Sequence, residues 1–179
     1  MVRAFIAIDM DDCIRERIAA VQKELLRSSA KLTLVDPAIA HITLKFLGEL
    51  DDRTLRAVQE ALATVPFEPF AMTIAGVAGN APSRPRVIWA NADDAGACSA
   101  LARAVERALA PAGIPREKRA FTPHVTIARV RQYDPSLAEY LQRVAATSFG
   151  TVTVSHLRLK KSTLTPSGPR YETIMEVSG

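Results

Sequence analysis

Histidine is scarce in this chain, at three of 179 residues, alongside two cysteines, one tryptophan and 6% aromatics. Cys13 and Cys98 both fall on the apolar stripes of predicted helices, so buried free thiols are expected rather than a disulfide or a metal pair. No apolar run approaches the roughly 18 residues that cross a bilayer. The opening Val2-Arg3-Ala4-Phe5-Ile6-Ala7-Ile8-Asp9 is too short for a signal-peptide apolar region, and a cytoplasmic protein with no membrane partner is expected. No G-x-G-x-x-G follows the first predicted strand and no P-loop occurs anywhere, which disfavours a doubly wound nucleotide-binding sheet.

What is present is ordinary for a globular protein: 48% hydrophobic and 23% charged residues, which exclude disordered and collagen-like classes. Residues 1–179 are read as a single two-lobed domain with an internal duplication, long enough to bury its own core. The net charge of +4 is compatible with a polyanionic ligand without demanding one.

Four segments carry helical periodicity. Asp11 or Asp12 caps Ile14, Ile18, Val21 and Leu25; Asp51 or Asp52 caps Leu55, Val58, Leu62 and Val65. Cys98, Leu101, Val105 and Leu109 precede Pro111 and Gly113, and a fourth helix opens at Asp134-Pro135 with Leu137, Leu141 and Val144. Between them lie predicted strands at residues 2–9, 41–47, 70–77, 86–91, 124–129, 151–159 and 171–177, several alternating polar with apolar residues as antiparallel strands do.

Two of the three histidines stand in nearly the same context: His41-Ile42-Thr43-Leu44-Lys45-Phe46 and His124-Val125-Thr126-Ile127-Ala128-Arg129, about 83 positions apart and each followed by a helix with an acidic cap. Along a strand, side chains alternate faces, so each motif offers one imidazole and one hydroxyl together while Ile42, Leu44, Val125 and Ile127 turn to a core. Were the two strands to meet across a pseudo-twofold axis, two imidazoles and two hydroxyls would flank a space for one phosphate. Imidazole titrates near neutrality, so one ring can deprotonate an attacking water while the other protonates the departing sugar oxygen. Thr43 and Thr126 would hold the non-bridging oxygens. The sharper rival is a zinc site from His41, His124 and His156, but each strand offers one ligand with no adjacent carboxylate or thiolate, so no metal and no cofactor are expected.

At these residues the chain resembles the two-histidine (HxT) phosphoesterase superfamily, and within it the RNA 2′,3′-cyclic phosphodiesterases once called 2′-5′ RNA ligases. The resemblance extends over Arg3 to Asp9, His41 to Glu49, Phe121 to Arg129, and Ser162 and Leu164 through Gly168 to Tyr171. It implies an α+β, bilobal fold: two pseudo-symmetric antiparallel sheets, helices on their outer faces, and a central cleft carrying both motifs. It further implies His41 as proton donor, His124 as proton acceptor, an RNA partner ending in 2′,3′-cyclic phosphate, and a 2′-phosphomonoester product. Reversible 2′-5′ joining of tRNA halves would use the same pair. A monomer is expected.

The supporting residues are less determined by pattern. Arg129 would neutralise phosphate charge, yet strict alternation puts it on the Val125 face unless the strand ends or bulges. Lys45 shares the parity of His41 and is a candidate for the cleft rim; Phe46 has the opposite parity and reads as core, as do Trp89 and, as a structural residue, His156. Arg84, Arg86, Arg116, Lys118 and Arg119 lie in two basic loops that would track an RNA backbone or stay solvated. The rival functions are a non-catalytic module that binds RNA ends, and a same-fold esterase for a small cyclic phosphate.

Overall fold

The computed structural model describes every residue from Met1 to Gly179. Nine strands and four α-helices follow in the order β1 (Val2–Asp9), α1 (Asp12–Leu25), β2 (Lys31–Leu34), β3 (His41–Leu50), α2 (Asp52–Leu62), β4 (Phe70–Gly79), β5 (Val87–Asp93), α3 (Ala97–Leu109), β6 (His124–Gln132), α4 (Leu137–Val144), β7 (Ser148–Val154), β8 (His156–Thr165) and β9 (Gly168–Ser178). They form two antiparallel sheets, β3-β1-β8-β9 and β2-β6-β5-β4-β7. The bilobal α+β architecture expected from the sequence is the one found.

Of each pair of candidate caps, the first is used: the Asp11 carboxylate accepts from the Ile14 amide at 2.9 Å and Asp51 from the Thr54 amide at 2.7 Å. The stripe Ile14, Ile18, Val21 and Leu25 is buried, each side chain stabilising the fold by about 1.5–3 kcal/mol. Beyond shifts of one to three residues at strand ends, the strands differ from expectation in two places. The predicted strand at 151–159 is two strands broken at Ser155, because β7 pairs with β4 while β8 pairs with β1 and β9 in the other sheet. The edge strand β2 is four residues long, too short for its alternation to register in the sequence.

The helices are exchanged between the sheets. α1 follows β1 yet packs on α4, β7 and β6, and α3 follows β5 yet packs on β3 and α2. Cys98 lies on the buried stripe of α3, where burial pushes its thiol up to about 12. Cys13 is exposed, contrary to expectation, because it precedes Ile14 and faces outward at the start of α1. No helix is long and apolar enough to cross a membrane.

Candidate active site

β3 and β6 approach each other, and a cleft of about 730 Å³ opens where they meet, lined by His41, Thr43, His124 and Thr126 together. The two rings are held alike. Nδ1 of His41 lies 2.8 Å from the carbonyl oxygen of Ile39, and Nδ1 of His124 lies 2.8 Å from that of Thr122. A carbonyl oxygen only accepts, so Nδ1 carries the hydrogen in both rings and Nε2 is the atom free to exchange a proton. In His41 that Nε2 is 3.1 Å from the Thr43 hydroxyl.

Each of these strands contains a bulge at the same place in its motif. Along β3, Thr43 pairs with Ala7 but Lys45 pairs with Ile6, leaving Leu44 as the extra residue. Along β6, Thr126 pairs with Trp89 but Ala128 pairs with Ile88, leaving Ile127 extra. A bulge reverses the parity of everything beyond it. Arg129 therefore turns into the cleft, which it lines.

The same reversal corrects two expectations, and a third fails without it. Lys45 does not reach the cleft rim; it is 6% exposed, and its ammonium donates to Glu106 Oε1 at 2.5 Å and to the Pro115 carbonyl at 2.8 Å on the α3 side. Phe46 is not core: it is 72% exposed and lines the cleft with Leu164, 69% exposed. Trp89, on the regularly alternating β5, is not core either: it stands opposite Thr126, half-buried, with its ring 5.0 Å from that of His124.

The β6 bulge has a keeper on α1, the helix that follows β1 of the other sheet. Gln22 of α1, 5% exposed, donates from Nε2 to the carbonyls of Val35 at 2.6 Å and Ile127 at 3.0 Å. The Ile127 carbonyl also accepts from the Val35 amide at 3.0 Å. The ladder position that the bulge vacates is thereby refilled.

The two imidazoles differ in their surroundings. His41 packs against Phe5 at 5.1 Å and, edge-on, Tyr171 at 5.4 Å. Burial pushes it below the ordinary imidazole range; the Ile39 carbonyl opposes that shift, nearby Lys160 adds to it, and Asp9 opposes it. Asp9, opposite His41 in the β1–β3 register, is itself held by Lys160 at 2.5 Å and Arg158 at 3.0 Å. Burial also raises the Tyr171 phenol, against the pull of Arg129 and Arg3. His156 stands outside the cleft, bonded to the Ser155 hydroxyl at 2.8 Å. Nowhere do three metal-ligating side chains cluster.

Neither basic loop lines the cleft. Arg84 stacks over Tyr133 at 5.7 Å, and the Glu117 carboxylate folds the other loop by accepting from the Lys118 and Arg119 amides. The residues that pattern reading passed over are Gln22 and the cleft-lining Arg3, Thr33 and Arg131. One signal was available: the apolar doublet Ile127-Ala128 interrupts the alternation of β6 where the bulge occurs.

Residues 11–164 match the model of the 2′-5′ RNA ligase superfamily. An RNA 2′,3′-cyclic phosphodiesterase of Archaeoglobus fulgidus is 39% identical over 172 residues, 96% of this chain and 97% of that protein. Another, of Methanothermobacter thermautotrophicus, is 35% identical over 182 residues, covering 98% and 97%. The fold is similar to the crystal structure of TT0787 of Thermus thermophilus, with a TM-score of 0.79 at 28% identity over 98% of this chain and 97% of that one. It is also similar to that of E. coli LigT complexed with 3′-AMP, with a TM-score of 0.80 at 22% identity over 99% and 97%.

Proposed function

We propose that this chain, which belongs to the 2′-5′ RNA ligase superfamily, hydrolyses 2′,3′-cyclic phosphate ends of RNA to 2′-phosphomonoesters. The observation that carries the reading is the pair of imidazoles in one cleft, each with Nδ1 bonded to a carbonyl, which leaves Nε2 to exchange the proton; in His41 that Nε2 meets the Thr43 hydroxyl. Two relatives that align with nearly the whole chain are named for this activity.

In the proposed reaction, His124 Nε2 takes a proton from water as the water oxygen attacks phosphorus. The bond from phosphorus to the 3′ oxygen breaks, and His41 Nε2 gives its proton to that oxygen. Thr43 and Thr126 donate to the non-bridging oxygens, and Arg129, which has no carboxylate partner, offsets their charge. The ring orientations are symmetric and leave the acid and base interchangeable; the family resemblance orders them. One observation favours the reverse order in the free protein, since burial holds His41 towards its neutral form. The negative charge of a bound cyclic phosphate, in a cleft partly withdrawn from water, favours the imidazolium and restores His41 as donor. Joining of RNA ends through a 2′-5′ linkage would run the same transfers backwards, with tRNA halves as the substrate that resemblance implies and the cytoplasm as the expected location.

The test is an oligoribonucleotide ending in 2′,3′-cyclic phosphate, given to wild type, His41→Ala and His124→Ala. Each variant should lose at least about a hundredfold in turnover, the wild-type product should be the 2′-phosphate, and a strong chelator should leave the rate unchanged. An unimpaired variant, or a 3′-phosphate product, would overturn the assignment.

A further inference from the structure

The cleft is longer than the two-histidine centre needs. At its β2 end it is lined by Thr33, Asp36 and Arg131, residues with no part in the transfers described above. The Ile127 bulge puts Arg129 on the face of His124 and Thr126, and Arg131, left unpaired by a second irregularity where Leu32 pairs with Val130 and Lys31 with Gln132, lines the same cleft. Alternate residues on a strand stand about 6.8 Å apart, close to the step between successive phosphates of an extended single strand. β6 thus presents its cations at nucleotide spacing, running outward from the reacting centre.

Arg131 is also held in place. Its Nε donates to the Thr33 hydroxyl at 2.8 Å, which fixes the guanidinium while leaving its two terminal amino groups unspent. Neither Arg129 nor Arg131 is paired with a carboxylate, whereas Arg15, Arg27, Arg143 and Arg158 all are. Beyond Arg131 the same direction leads to Tyr133, with Arg84 stacked over it. Cations left unpaired on one wall, and oriented by a neutral hydroxyl, suit a bidentate hold on phosphate oxygens.

We propose that Arg131, oriented by Thr33, forms a second phosphate-binding position in the cleft, which takes the phosphodiester immediately 5′ of the terminal cyclic phosphate. The position makes the protein a reader of polynucleotide ends rather than of mononucleotides. It rests on the phosphodiesterase reading above and names the part of the substrate that the two histidines do not touch.

Three substrates test it: adenosine 2′,3′-cyclic phosphate, the same nucleotide carrying a 5′-phosphate, and the dinucleotide ApA ending in 2′,3′-cyclic phosphate. The wild type should favour the dinucleotide over the bare mononucleotide in kcat/KM by about tenfold, the worth of one charge-assisted contact. Arg131→Ala should erase that preference, and Thr33→Val should reduce it. The salt dependence of kcat/KM on the dinucleotide should flatten by about 0.7 in its log–log slope, the loss of one phosphate contact on a single strand. An Arg131→Ala variant that loses rate equally on all three substrates, or on none, would overturn the proposal. A loss confined to the 5′-phosphorylated mononucleotide would assign the position to free nucleotides and overturn it as a polynucleotide site. Affinity for the 2′-phosphate-ended dinucleotide, measured against 2′-AMP, decides Arg131 even if the wild type hydrolyses nothing. Failure of all hydrolysis would instead remove the phosphodiesterase reading.

Discussion

Gln22 touches no substrate, yet the orientation of Arg129 hangs on it. Replacing it by Met keeps the length and shape of the side chain and deletes the two hydrogen bonds to the Val35 and Ile127 carbonyls. Ile127 retains the Val35 amide as a donor, so the loss is less than two fully orphaned acceptors. At about 1–3 kcal/mol for each buried acceptor left wanting, the variant should lose about 2 kcal/mol of stability. For a chain of this size that is a fall of about 4–8 °C in Tm. The catalytic effect has a separate origin. Once the bulge is free to slip, β6 can regain strict alternation, which returns Arg129 to the core side and withdraws a contact worth about 10- to 100-fold in rate. Thermal unfolding and kcat/KM on a cyclic-phosphate-ended oligonucleotide should be measured for Gln22→Met, Arg129→Ala and the double variant. Because both changes remove the same contact, the double variant should be no slower than Arg129→Ala alone. Rate losses that multiply, or a Gln22→Met protein with lowered Tm and full activity, would refute the link between the bulge and the arginine.

Two further outcomes follow from the ionisable groups. The folded chain resists protonating His41 while the unfolded chain does not, so stability should be level above the free imidazole range near pH 6.5 and decline as pH falls below it. Melting curves at pH 7 and pH 5 should show a smaller drop for His41→Gln than for wild type, and an equal drop would refute the assignment. A thiol-labelling reagent should modify one residue of the native protein rapidly, the exposed Cys13, and reach Cys98 only on unfolding; two rapidly labelled native thiols would contradict the burial of α3.

The sequence made legible whatever depends on period and caps. Ile14 to Leu25, Val58 to Leu62 and Cys98 to Leu109 repeat every three to four residues because they face one core, and Asp11 and Asp51 stand where helix amides need acceptors. The matching His-x-Thr strands were visible because the same local geometry is used twice. What parity could not deliver was Lys45, Phe46 and Arg129, since each lies beyond a bulge. A bulge arises from partners distant in sequence, in β6 from a glutamine on α1 about a hundred residues away. Ser155 falls inside the expected strand for a related reason: the chain changes sheets there with a single residue between β7 and β8.

The exchange of α1 and α3 between the sheets means that neither half of this chain is a self-sufficient body. Cut between the halves, the first would carry the His41 strand without the helix that receives Lys45, and the second the His124 strand without the helix that supplies Gln22. Each fragment would bare the apolar face that the other's helix had covered. The chain crosses between the lobes after β1, β2, α2, β5, α3 and β7, so any opening of the cleft would flex several connections at once rather than one hinge. The distance between the two imidazoles is in that sense a whole-chain property, protected by the way the two lobes are dovetailed.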